Sequence, residues 1–225
     1  MEDGSKDHAP SVTHAAGASK INLALIVNAQ KVLQFWFGEL DNKEHFPADK
    51  ASMWFKNGAD YDAIIRADFL SIHQQASSHQ LDDWRLYPKS LLALIIVLDQ
   101  FSRHLYRNTA QAFAQDKMAI ECVIEGIKSN YDQDLYYVER QFFYMPLMHA
   151  EDITTQKLSV QMFKKLRNDV PDKLKESYTN TLSFAESHQF VISKFGRFPE
   201  LNDILGREST EEEIAFLETG KYRFL

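Results

Sequence analysis

The chain has 225 residues, 44% of them hydrophobic and 12% aromatic, a globular composition with enough apolar material for one sizeable core. Its net charge of −7 excludes a general nucleic-acid or anionic-membrane surface, because such binding needs clustered basic charge to displace counterions. The single cysteine, Cys122, excludes an internal disulfide framework and a multi-cysteine zinc site, and the expected setting is the reducing cytoplasm.

Residues 1–20, MEDGSKDHAPSVTHAAGASK, lack a basic start followed at once by an apolar stretch, so they do not read as a secretory signal. Their Gly, Ser, Ala and His content predicts a disordered tail ahead of a single domain over 21–225. Apolar residues from Ile21 to Phe37 predict a helix that stops at Gly38, a left-handed cap. A loop follows, then a short helix with Met53, Trp54 and Phe55. Asp60 is placed to cap the next, in which Tyr61, Ile64, Ile65, Phe69, Ile72 and Ala76 recur at helical spacing.

Pro88 then opens the most apolar stretch of the chain. Leu91 to Leu98 leave no polar face at helical or strand period, so the segment must be surrounded by protein. It is far short of the roughly 20 residues that cross a bilayer. Polarity returns abruptly: in a continuing helix Asp99, Arg103 and Arg107 stand four residues apart on one face, the carboxylate first, as an ion pair prefers.

Thr109 is the expected cap of a helix striped by Phe113, Ile120, Val123, Ile124 and Ile127, and Asp134 of another through Glu139, Arg140, Phe142, Phe143 and Met145. Pro146 should kink or end that helix and redirect the stretch to Asp152. Leu158, Met162, Phe163, Leu166 and Val170 make one further stripe. Leu174, Tyr178, Thr181, Ala185, His188, Ile192 and Phe195 make a second, ended by Gly196. Ser209 with Glu212 fits a capping box for a last helix through Ile214 and Leu217. About eight helices and no alternating strand predict an all-α domain of antiparallel helical pairs. No internal repeat of about 34 residues, the tetratricopeptide period, is visible.

Charged groups fall among apolar neighbours in four places: Asp99 to Arg103, Glu139-Arg140, Met145 to Asp152, and Phe195 to Pro199 with Asn202 and Arg207 beyond. Charges in such surroundings are costly unless paired, so these stretches should meet. Guanidinium suits bidentate carboxylate or phosphate contacts. One reading is a cleft for a small anionic ligand, formed by Asp99, Arg103, Glu139, Arg140, Asp152, His188, Arg197 and Arg207. In that cleft His149 would be the acid or base and Glu151 or Asp152 its orienting carboxylate. The other reading is internal salt bridging, with Asp99, Glu139, Glu151 and Asp152 tying helices together and the helical surface serving a protein partner. On this second view His188, on an apolar stripe, is a core histidine bonded to a neighbouring carbonyl or carboxylate. His104 caps the end of the central helix. No metal-ligand motif, nucleophile elbow or phosphate-binding glycine loop is present, and no cofactor is implied. Cys122, among Ile120, Val123 and Ile124, is expected to be an inert buried thiol, and the aromatic clusters at 35–37 and 53–55 to be core anchors.

A series of idiosyncratic words runs through the chain. Among them are Phe35-Trp-Phe-Gly38, Trp54-Phe55, Leu94-Ile-Ile-Val-Leu-Asp-Gln-Phe-Ser-Arg103, Tyr106-Arg-Asn-Thr-Ala-Gln-Ala-Phe-Ala114 and Glu139-Arg140. Tyr144-Met-Pro-Leu-Met-His-Ala-Glu-Asp152, Phe195-Gly-Arg-Phe-Pro199 and Leu205-Gly-Arg-Glu-Ser-Thr210 follow. From Val32 to the C-terminus the chain thereby resembles the bacterial family catalogued as domain of unknown function 924. The resemblance implies an all-helical, tetratricopeptide-like superhelical fold and no established biochemical activity. Ser102 stands where that family's word has proline, a departure that bears on the helix exit and leaves Asp99 and Arg103 in place.

Overall fold

The central helix organises the packing. In the computed structural model, which describes residues 27–220, no side chain from Leu91 to Leu98 is more than 1% exposed. Each fully buried aliphatic side chain contributes about 1.5–3 kcal/mol, so this stretch alone accounts for a large share of the core. The tail expected over 1–20 and the helix start at Ile21 lie outside the described residues.

The first helix, α1 (27–37), ends at Gly38 in the left-handed conformation, φ 69°, whose N–H caps the Gln34 carbonyl. Helices α2 (Ala51–Phe55) and α3 (Asp62–Ser77) follow. Asp60 falls in a tight turn over Gly58–Tyr61, so α3 begins after the expected cap. The central rod is α4 (Pro88–Ile96), a π-turn (Val97–Phe101) and α5 (Ser102–Leu105), with Pro88 in its first turn. After a short turn over Ala110–Phe113 come α6 (Asp116–Lys128), α7 (Tyr137–Met148), α8 (Ile153–Asp169), α9 (Lys175–Phe195) and α10 (Glu211–Glu218). Among the described residues there is no strand, and the fold is all-α.

Consecutive helices α7, α8 and α9 pack side by side, each turned back by a short connection, while α4 lies against α6 and α7. Gly126 permits the α6 approach: a Cβ there would stand 2.5 Å from Phe143 Cζ and 2.8 Å from Leu91 Cδ2. The aromatic words are core anchors except for Phe55, which stands at the end of the short α2 and is exposed. Trp36 packs edge-on against Phe142 and Phe101 at 5.5 and 5.7 Å between centroids, and Trp54 meets Phe142 at 4.7 Å.

Several local expectations shift: α6 begins at Asp116, Thr109 standing only before the short turn over Ala110–Phe113, and α7 is capped by Tyr136 with Glu139, Asp134 lying in a turn ahead of it. Helix α7 continues through Pro146 to Met148, because buried Phe143, Leu147 and Met148 hold its last turn against the missing N–H. The last helix is capped by Thr210 with Glu213, one residue beyond Ser209 with Glu212. Glu213 is the residue that also receives Arg197, at 2.7 and 2.8 Å, and is buried by it, whereas Glu212 meets Lys194 near the surface. A second, smaller apolar cluster of Val191, Ile192, Phe198, Leu201 and Phe216 joins the end of α9 to α10.

Candidate functional site

The central helix delivers its charges at the π-turn. An inserted residue of this kind leaves a carbonyl to be satisfied otherwise, and such turns recur at functional sites. Here Ser102 Oγ donates to the Leu98 carbonyl at 2.6 Å. Its own hydrogen being spent, Ser102 accepts from His73 Nε2–H of α3, at 2.8 Å. Burial pushes the His73 imidazole down to about 4, so the ring is neutral near pH 7.

On the adjoining face Asp99 is fully buried. Its Oδ1 lies 2.7 Å from His149 Nδ1 and 3.0 Å from Arg103 Nη1, and its Oδ2 accepts from the Gln100 amide. Burial works to raise the Asp99 carboxyl, but Arg103 and His149 beside it outweigh burial and hold it well below the usual range. An ionised carboxylate only accepts. His149 therefore carries its hydrogen on Nδ1, which leaves Nε2 with the lone pair when the ring is neutral. Among the described residues no hydrogen bond reaches Nε2, and the side chain keeps 10% exposure.

Arg103 also grips Asp116, at 2.9 and 3.2 Å, and donates to the Asp99 carbonyl at 2.9 Å. Burial raises the Asp116 carboxyl; Arg103 opposes that and Asp99 reinforces it. Two carboxylates thus share one guanidinium. The Phe113 ring lies 5.5 Å from Arg103, and the His188 ring 6.5 Å from His149.

The other expected residues are dispersed. Glu151 is not against His149: it accepts the Phe198 N–H at 2.7 Å and both Arg207 nitrogens at 2.6 and 2.9 Å. Asp152 caps α8 through Thr155 N–H at 2.7 Å. Arg197 holds Glu213, and His188 donates Nδ1–H to the Phe184 carbonyl at 2.7 Å. Glu139 and Arg140 sit at the start of α7, about 15 Å along the helix from His149 at 1.5 Å per residue. There Glu139 binds Lys89 and the Tyr136 N–H, and Arg140 binds Asp169 at 2.8 Å. Arg107 does not share a face with Asp99, since α5 stops at Leu105; it pairs with Asp62 at 2.6 and 2.7 Å, beside His104. Asp116 and Phe113 are site residues without a sequence signal, because Asp116 sits among polar neighbours in the first turn of α6.

The family described as "Bacterial protein of unknown function (DUF924)" matches residues 32–221. The chain belongs to this family. A solved structure, "Structure of Protein of Unknown Function ATU0120 from Agrobacterium tumefaciens", is similar at 35% identity and a TM-score of 0.72, over 87% of this chain and 99% of that one. Among curated proteins no match is found. The π-turn, Asp116 and His149 all lie inside the span matched by the DUF924 family. Among the described residues of this DUF924 member a cleft of 820 Å³ lies beside Glu200, Arg207, Ile214 and Leu217, and another of 280 Å³ beside His73, Tyr106 and Gln111. Neither of the two is lined by His149. Among the described residues no group of three or more His, Cys, Asp or Glu side chains is disposed to hold a metal, and no helix is long and apolar enough to cross a membrane. Burial pushes the Cys122 thiol up to about 12, which makes it inert.

Proposed function

We propose that the Asp99–His149 pair at the π-turn is an acid–base centre acting on a small molecule. The observation that carries this reading is the 2.7 Å contact between His149 Nδ1 and the buried Asp99 carboxylate, with no hydrogen bond to Nε2 among the described residues. His149 would take or give a proton at Nε2, Asp99 would orient the ring and stabilise the imidazolium, and Arg103 would keep Asp99 from taking that proton itself. The anionic ligand expected from the sequence draws less support, because Arg103, Arg140, Arg197 and Arg207 are each bonded to a carboxylate already.

The test is a thermal-shift screen of small acids, amines, esters and amides on the wild-type protein and on His149→Asn, whose amide can still donate to Asp99. A ligand at 100 times its Kd should stabilise the wild type by about 2.7 kcal/mol. Loss of that shift in His149→Asn supports the centre. Equal shifts in both proteins, or none across the panel, overturn it.

The same closed arginine pairs favour a second reading, a cytoplasmic, tetratricopeptide-like interaction module in which these charges only brace helices. Under it, His149→Asn leaves a partner captured by the wild type bound with unchanged affinity.

A further inference from the structure

We infer that Gln156 is the positioning residue that sets the His149 ring against Asp99, an inference that rests on the acid–base reading of His149. Gln156 is fully buried in the first turn of α8. Its side-chain Nε2 donates to the Met148 carbonyl at 2.6 Å and to the Ala150 carbonyl at 2.8 Å, the two carbonyls that flank His149. Both amide hydrogens are used, which also fixes which end of the amide faces the turn.

Met148 is the last residue of α7, where carbonyls have no partner within the helix, and His149 is the capping residue. One planar amide therefore ties the Met148–His149 peptide group to the Ala150–Glu151 peptide group, brackets the His149–Ala150 step between them and so restrains the direction of the His149 Cα–Cβ bond. The amide is itself held on a rigid element, because Asp152 caps the start of α8. Gln156 Oε1 is buried and has no hydrogen-bond partner among the described residues. An unpaired buried acceptor is unfavourable, so Gln156 is not held here for its oxygen. What Gln156 supplies is its two donors.

The experiment observes the imidazole N–H protons of protein labelled with 15N-histidine. His149, bonded to Asp99, and His104, whose Nδ1 lies 2.8 Å from Asp62 Oδ1, should each show a slowly exchanging Nδ1–H signal, the first identified by its absence from His149→Asn. In Gln156→Met, which keeps the volume and removes both donors, the His149 signal should be lost while the His104 signal stays. Ser159→Ala, at an equally buried position of α8, should leave both. An unchanged His149 signal in Gln156→Met overturns the inference, and so does loss of both signals together, which would make Gln156 a brace of the whole fold. A wild type lacking the His149 signal overturns the acid–base reading and this inference with it. A ligand shift abolished by His149→Asn, together with an unchanged signal in Gln156→Met, overturns the role of Gln156 alone.

Discussion

Arg103 faces two carboxylates, Asp99 and Asp116. Replacing it with methionine keeps an unbranched apolar stem, removes the cation from Asp116 and leaves Asp99 with His149 and the Gln100 amide. Such a loss typically costs about 3–5 kcal/mol, and Arg103→Met should lower unfolding stability by that amount in urea titrations. Arg103→Lys should fall between, since one ammonium cannot reproduce the bidentate grip on Asp116. The Asp99–Arg103 contact was legible in the sequence because it spans four residues of one helix. The contact of His149 with Asp99 was not: the two lie 50 residues apart, and nothing near His149 distinguishes Asp99 from the closer Glu151 and Asp152.

Glycine costs helix stability, so replacing Gly126 in α6 should by propensity alone add about 1 kcal/mol. The Cβ would lie within 2.8 Å of Leu91 and closer still to Phe143, both wholly packed, and overpacking of this kind costs about 1–3 kcal/mol. Gly126→Ala should therefore lower the Tm, where an exposed helical glycine would raise it. Ends of elements were readable where one residue type decides them, as at Gly38, Pro88 and Gly196. They shifted where a distant side chain intervenes. Arg197 selects Glu213 over Glu212, and buried neighbours carry α7 past Pro146. The π-turn left no mark in the apolar pattern, because every residue from Leu91 to Asp99 is buried.

Over the whole molecule, stability should depend on pH through buried histidines, His73 and His188 foremost, with His104 lowered by burial in the same direction. Burial pushes His73 and His188 each down to about 4, whereas both titrate near 6.5 in the unfolded chain. Between those values the unfolded chain binds more protons, so the stabilisation is complete above about pH 6.5 and is lost as pH falls toward 4. His73 and His188 should each remove about 2 kcal/mol between pH 7 and pH 5, seen as a falling urea midpoint, and His73→Gln should remove its own share of that dependence. A second expectation concerns the small C-terminal cluster, which Glu151 fastens to the main body through the Phe198 N–H and Arg207. Glu151→Gln weakens both bonds. Hydrogen exchange at the Phe198 amide should then rise while that of α4 stays as it was.

By itself the sequence determined the helical class, the burial of Leu91 to Leu98, the helix ends at Gly38, Pro88 and Gly196, and the core role of Trp36, Phe37 and Met53. Periodicity, propensity and capping act over a few residues, and an uninterrupted apolar run has no alternative to the interior. Only the tertiary structure decided that Asp99 rather than Glu151 faces His149, that Asp116 joins Arg103, and that Glu139, Arg140, Arg197 and Arg207 belong to other networks. A carboxylate has no sequence preference among histidines and guanidinium groups. Which of them it meets follows from the packing of helices that the apolar side chains set, and the charges pair with whatever that packing brings within reach.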